Sequence, residues 1–498
     1  MSLKRNITAN YVSQVYVTGI GILILPLYIK YMGAEAYGLV GFFTMLQAWF
    51  SLLDMGLTPT IGRETARYNG GSISQLAYRQ LLRSLTIIFA GVAFLGGGCL
   101  WLLSDFIANE WLQIEALSST QIVLAVEFMA ISVALRWMGG LYRGVLTGFE
   151  RLVWLSSFNV VVATLRFVAV FASMWIYGFT PVVFFIHQLV VAVIEVSGLW
   201  ARSLKLLPNQ NHAIGWSFEP VKPVLKFALS IAFTSSIWVL VTQTDKLVLS
   251  GILPLAEYGY FTLAVLVASG IMVISGPVSM AIMPRMARLK AEGKRDEMLR
   301  VYRNATQLVS VVAGSAALVI AFNAELLLVA WTGDQDLSAK AAPILRLYAI
   351  GNGFLAVAAF PYYLQYAVGN LRYHLIGNAV MGSVLIPAII IAATYYGGIG
   401  AGYVWVGVNG GFLVAWVGYS HKKLVPGLHK HWLVHDVLTI NLSVGAFLGI
   451  VSLFDVSLQS RVIIFAYIVV LSVGSLLIAA LASSWIRNFM LRRLFKNI

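Results

Sequence analysis

The sequence predicts an all-α integral membrane protein of about 14 transmembrane helices. Three observations carry that prediction. Hydrophobic residues make up 59% of the 498 residues and charged residues only 11%, against about 25% charged in a soluble domain, and mean hydropathy is +0.84. Basic residues alternate from one connection to the next as the positive-inside rule demands. An internal repeat, Gly33–Arg67 against Pro254–Arg288, divides the chain into two halves.

At roughly 20 residues per span, the apolar stretches place spans near 8–30, 38–61, 84–104, 120–142, 153–177, 181–201, 227–251, 259–283, 305–330, 344–368, 375–396, 399–420, 437–454 and 463–485. With the N-terminus inside, the even-numbered connections and both termini carry 27 of the 34 Lys and Arg. The other seven are Lys30, Lys246, Lys340 and Arg461 on outer connections, and Arg136, Arg166 and Arg346 inside spans. Outer connections are acidic: Glu35, Asp105, Glu110, Glu115, Glu257, Asp334, Asp336 and Asp455. This alternation predicts both termini inside. A missed or invented hairpin keeps the parity, so twelve spans satisfy it as well.

In the repeat, Tyr37-Gly38 falls on Tyr258-Gly259, 221 positions later, Ile61 on Ile282, and Ala66-Arg67 on Ala287-Arg288. Five identities are few for apolar sequence, but they sit at the two ends of a helix, where topology is set. Internal duplication is common in transporters. It gives an N-terminal six-helix bundle over 1–205, a linker over 206–226, a C-terminal six-helix bundle over 227–425, and helices 13 and 14 with a basic tail over 426–498. The tail RNFMLRRLFKNI is amphipathic and fits either the anionic inner leaflet or a solvated positive-inside end.

The net charge of +14 follows from these orienting residues, so no nucleic-acid partner is expected. The N-terminus, MSLKRNITANYVSQV, lacks a small-residue cleavage site and reads as the start of the first span. Cys99 is the single cysteine, so no intrachain disulfide is expected. No P-loop is present, so ATP hydrolysis by this chain is not expected. His429-x-His431 lies in a basic loop and Asp334-x-Asp336 in a solvated one. Neither predicts a metal or glycosyl-transfer site, and no cofactor or enzyme activity is expected.

Function is carried by polar residues inside the spans, since a charge in hydrocarbon costs several kcal/mol unless it faces a cavity or a partner. Arg136 and Arg143 lie seven apart on one face of span 4, Arg166 lies mid-span 5, and Arg346 lies one turn into span 10. Arg63 and Arg285 end the matched spans 2 and 8. Converging arginines would bind an anion, and pyrophosphate suits the guanidinium fork. The alternatives are interface marking for Arg63, Arg143 and Arg285, and pairing with Glu127 or Glu195 for Arg136 and Arg166. Asn6, Asn10, Gln14 and Thr18 make a polar stripe in span 1, and Thr234, Trp238, Thr242 and Asp245 one in span 7. Such stripes glue helices or line a wet path. Asp54, deep in span 2, and Asp245, which also has Lys246 beside it, are the candidates for coupling to H+, Na+ or the membrane potential.

The stretch GAEAYGLVGFFTMLQAWFSLLDMGLTPTIGRETARY resembles the G-x-x-x-Y-G … L-D-x-G-L … R-E-x-A-R block of the polysaccharide transporter family, the Wzx-type flippases. QTDKLVLSGILPLAEYGYF resembles that family's second-half signature. The resemblance implies the fold of the multidrug/oligosaccharidyl-lipid/polysaccharide exporter superfamily, two six-helix bundles around a central cavity. It implies movement of an undecaprenyl-pyrophosphate-linked oligosaccharide to the outer leaflet by alternating access. It also implies membrane lipids and polymerase or chain-length proteins as partners, and a groove for the polyprenyl tail at spans 13 and 14. Span 1 carries amides where the related lipid II flippases carry arginines, which moves the expected cationic site to spans 4, 5 and 10. A multidrug extrusion antiporter is the main rival and would favour acidic residues in the cavity. A glycosyltransferase or polymerase would need a larger outer loop.

Overall fold

The computed structural model describes residues 3–207, 217–454 and 460–488. Part of the expected linker, including His212, and most of the basic tail lie outside the described residues. Among the described residues the chain is α-helical with short 3-10 and π-helical turns, and 12 stretches are long and apolar enough to cross a membrane.

One of these stretches, Arg372–Leu424, is 53 residues long and carries a non-helical residue, Gly397 (φ 58°, ψ −143°). That backbone conformation is open essentially only to glycine. The two arms fold back on each other, because the Trp416 indole N–H donates to Tyr373 O at 3.2 Å. The stretch therefore supplies the two expected spans 375–396 and 399–420. Val221–Ile252, a 32-residue helix, matches the expected span 7.

The contacts divide the chain into two compact units, Met1–Gly259 and Tyr260–Ile498. Val221–Ile252, read from sequence as the first helix of the second bundle, packs in the first unit on Ala34–Phe50 and Leu57–Asn69.

In the first unit, close helix packing rests on small residues. Gly140, Gly144 and Gly148 form a stripe along Ser119–Gly148, and Leu57–Asn69 lies directly on it. A Cβ at Gly148 would collide with Gly62 O and Thr65, and one at Gly144 would sit 2.6 Å from Thr58 O. Dispersion between closely approaching backbones is what holds helices together in lipid, where apolar burial alone gives little.

Span 2 is not the continuous helix expected over 38–61. Ala34–Phe50 ends in a 3-10 turn, Ser51–Asp54, and Met55 and Gly56 are left-handed (φ 44° and 71°). A new helix, Leu57–Asn69, then begins. The Asp54 carboxylate accepts from Thr58 N at 3.1 Å and from Thr58 Oγ1 at 2.5 Å, so it satisfies the open N-terminus of that helix. Its place is at a break, not deep within a helix.

The acidic connections read from sequence as outer are also more than solvated charge. Glu35 is buried, and its carboxylate accepts from the amides of Glu115, Ala116 and Leu117 at 2.8, 2.9 and 2.9 Å, pinning that loop to the start of Ala34–Phe50. The matched glycines of the repeat meet as well. A Cβ at Gly259 would lie 3.1 Å from Gly38 N.

Candidate functional site: a cationic cavity in the first unit

Four helical elements place the polar residues of the first unit around one cavity of about 320 Å³. Leu3–Met32 contributes Asn10, Ser13, Gln14 and Thr18, and Ser119–Gly148 contributes Arg143. Leu152–Thr164 contributes Asn159, and the π-helical turn that follows it, Leu165–Ala169, contributes Arg166.

The π turn explains how Arg166 is held. It displaces the regular helical ladder, and the carbonyls of Leu165 and Arg166 accept from the neighbouring helix Pro181–Leu204, from His187 Nε2 at 2.9 Å and Gln188 Nε2 at 3.0 Å. His187 is set in turn by Ser173, 2.8 Å from its Nδ1. Leu3–Met32 is fixed against the same region by Ser13 Oγ donating to Ser156 O at 3.0 Å and Tyr28 Oη donating to Phe167 O at 3.0 Å.

The charges form a shared pair. Arg143 Nη2 and Arg166 Nη2 both donate to Glu195, the latter at 2.7 Å, and Arg143 Nη1 donates to Asn159 Oδ1 at 2.6 Å. Glu195 is 5% exposed at its side chain, whereas Arg143 and Arg166 are 31% and 24% exposed. The acid is thus behind and the cations reach the cavity. One carboxylate cannot neutralise two guanidiniums, so the wall keeps a net positive charge. Arg166 Nε is buried and has no hydrogen-bond partner among the described residues.

Arg136 stands next to this pair rather than in the wall. It donates to Gln47 Oε1 at 3.0 Å and Gln188 Oε1 at 2.7 Å, and its guanidinium lies 4.9 Å from the Phe43 ring centroid. Its direct partners are neutral amides. Through Gln188 it is one side chain removed from Arg166.

The structure therefore gathers Asn10, Gln14, Arg143 and Arg166, with Arg136 adjacent. Arg143 was placed from sequence at the inner end of span 4, but Ser119–Gly148 continues past it, and Glu195 stabilises the charge inside the helix. Arg63 is exposed on Leu57–Asn69 and does not line the cavity. Arg285 and Arg346 belong to the second unit, both exposed, and Arg346 Nε donates to Ala321 O at 3.1 Å.

Thr242 Oγ1 donates to Trp238 O at 2.8 Å, within its own helix. Asp245 is buried and pairs with Lys246 at 3.1 Å, the neighbour the sequence offered. Ser13 and Asn159 were missed by sequence reading. Asn159 carries a detectable signal, a lone amide in an otherwise apolar run.

The second unit holds a different network, also missed. Asp436 is fully buried and accepts from Arg303 Nε and Nη2 at 2.7 and 3.0 Å and from Gln307 Nε2 at 2.7 Å. Gln307 Oε1 accepts from Ser483 Oγ at 2.6 Å and Trp485 N at 3.0 Å. Arg303 reads in sequence as one more loop charge, yet it lies on the helix Arg295–Val309 and ties it to helix 13.

A multi-pass, all-helical bundle with a cationic cavity fits a membrane transporter of the flippase and exporter class. The matches with known proteins agree. Residues 3–290 match the polysaccharide biosynthesis protein family, and the chain belongs to it. A Shigella flexneri relative described as a "Putative O-antigen transporter" is 20% identical over 413 residues, covering 81% of this chain and 94% of that protein. The lipid II flippase MurJ in an inward closed conformation superposes with a TM-score of 0.77 at 14% identity, covering 96% of this chain and 99% of that one. An inward-facing multidrug resistance MATE transporter of the MOP superfamily gives 0.67 at 14% identity, covering 83% and 94%. At these identities the solved structures speak for the fold alone.

Proposed function

We propose that this protein is a flippase for polyprenyl-pyrophosphate-linked oligosaccharide. It moves undecaprenyl-linked repeat units from the cytoplasmic to the outer leaflet of a bacterial inner membrane for O-antigen, capsule or exopolysaccharide assembly, with both termini inside. The observation that carries this reading is the cavity in which Arg143 and Arg166 share Glu195 and keep a positive excess. Two guanidinium forks suit the paired, planar acceptors of a pyrophosphate. Asn10, Gln14 and Asn159 beside them suit sugar hydroxyls.

The transport cycle is alternating access between two bundles. The pyrophosphate head enters from the inner face and takes donors on Arg143 and Arg166, and the polyprenyl tail stays in lipid along helices 13 and 14. An inside-negative potential helps an anionic head outward by about 2.3 kcal/mol per charge per 100 mV. Of the two coupling candidates, Asp54 is favoured, because its bonds are to neutral groups, Thr58 and the Gly56 backbone, whereas Asp245 already holds the Lys246 ammonium. The cavity wall carries no carboxylate, which disfavours an antiporter for cationic drugs.

Depletion of the protein in its host, with a leaflet-resolved assay of lipid-linked saccharide, tests the reading. Complete repeat units accumulate on the cytoplasmic leaflet, and wild type reverses this whereas Arg143→Ala and Arg166→Ala do not. No accumulation, with altered drug susceptibility instead, overturns the flippase in favour of an extrusion antiporter. Transport that persists unchanged after collapse of the potential and all ion gradients overturns the coupling.

A further inference from the structure

The second unit has its own cavity, about 290 Å³, at the open end of the Gly397 hairpin. Its lining is Arg372, Tyr373, Ile376, Trp416, Tyr419 and Lys423. The two cations come from opposite arms, Arg372 at the start of one and Lys423 at the end of the other. Aromatic rings lie between them. Tyr373 and Tyr419 have ring centroids 5.9 Å apart, Trp416 and Tyr419 5.4 Å, and Lys423 Nζ lies 5.7 Å from the Tyr419 centroid. The cup is built rather than incidental. The π-helical turn Phe412–Trp416 turns the indole onto Gly377, where a side chain would collide with it, and its N–H is spent on Tyr373 O.

The charge of this cup is unanswered. Between Asp336 and Asp436 the sequence has no acidic residue, and neither Arg372 nor Lys423 has an ion-pair partner among the described residues. A guanidinium fork and an ammonium on two sides of a small cavity at the end of two membrane helices match a phosphate ester. Basic pockets between helices at the membrane face take anionic head groups, and Tyr and Trp favour the same depth.

We propose that this cavity is a binding site for the phosphate head group of an anionic bilayer phospholipid, separate from the cavity at Arg143 and Arg166. The lipid phosphate sits between Arg372 and Lys423, and its glycerol and ester region rests on Tyr373, Trp416 and Tyr419.

Native mass spectrometry of the full-length protein tests this, after incubation with equal amounts of phosphatidylglycerol and phosphatidylcholine. Wild type retains phosphatidylglycerol preferentially. R372Q/K423Q loses that retention about tenfold, while K422Q/K430Q, which removes the same charge outside the cavity, keeps it. The melting temperature in pure phosphatidylcholine nanodiscs is the same for all three, which shows that the variants are folded. In phosphatidylglycerol it rises for wild type and K422Q/K430Q only. Equal retention of the two lipids by wild type, or equal loss in both double variants, overturns the site. Displacement of the lipid by millimolar inorganic phosphate also overturns it, by reassigning the cavity to a free anion.

Discussion

Two arginine networks among the described residues, each around a buried acid, are built from the same groups and do opposite things. In the second unit Arg303 meets Asp436 one to one, through two parallel bonds, and Gln307 completes the carboxylate. The charges cancel, the acceptors are full, and the acid is fully buried. In the first unit two arginines share one carboxylate, and the surplus faces a cavity. The first arrangement is a strut and the second is a site. The difference is the ratio of charges rather than their depth.

That difference sets what each network tolerates. Asp436→Ala leaves Arg303 without its partner and Gln307 with an unmet donor, and it should cost about 3 kcal/mol, read as a lowered midpoint of thermal unfolding in detergent. The partial exposure of Arg303 places it at the low end for a broken buried pair. Arg166→Ala is expected to behave differently, because Glu195 keeps Arg143. Stability should fall by no more than about 1 kcal/mol, while transport falls at least about tenfold, roughly 1.4 kcal/mol. If Arg166→Ala unfolds the protein as severely as Asp436→Ala, the distinction between strut and site is lost.

Glu195→Gln sharpens the comparison from the other side. It frees both guanidiniums toward the cavity, so pyrophosphate should bind severalfold more tightly by calorimetry, with about 1 kcal/mol of stability lost. Weaker binding would mean that Glu195 positions the arginines more than it competes for them. The smallest effect belongs to Asp54. Asp54→Asn keeps an acceptor for Thr58 N and should unfold within about 0.5 kcal/mol of wild type, whereas Asp54→Ala loses the cap at about 1 kcal/mol. Both should lose the dependence of transport on the ion gradient. Gradient dependence intact in Asp54→Asn would leave Asp54 as a cap alone.

Much of the fold was legible because a bilayer permits few solutions. Backbone groups in hydrocarbon must bond within their own helix, so apolar stretches of sufficient length name the spans. The ends were less legible. The apolar pattern stops near 142, yet the helix runs to Gly148 and carries Arg143 against Glu195. That partner is remote in sequence and no local pattern announces it.

The repeat shows the same limit. At one of its matched ends Gly38 and Gly259 are in contact. Between the matched ends the two stretches differ, one broken at Asp54–Gly56 and the other helical throughout Leu255–Ala291. The π turns were not legible at all, yet they hold Arg166, Trp416 and Asp436. A π turn differs from an α turn by one residue of hydrogen-bond register, and apolar composition does not change with it.

The reversal at Gly397 bears on how the chain enters a membrane. Arg372–Leu424 turns on a single residue, with Tyr395, Tyr396 and Tyr403 exposed around the bend. There is no hydrophilic segment to be hauled across the bilayer between the arms. Both arms of this hairpin can therefore enter together, from the side that holds Arg372 and Lys423. A stalled half-inserted arm has no polar loop to strand it, and a tag or protease site placed at the bend would have to create one.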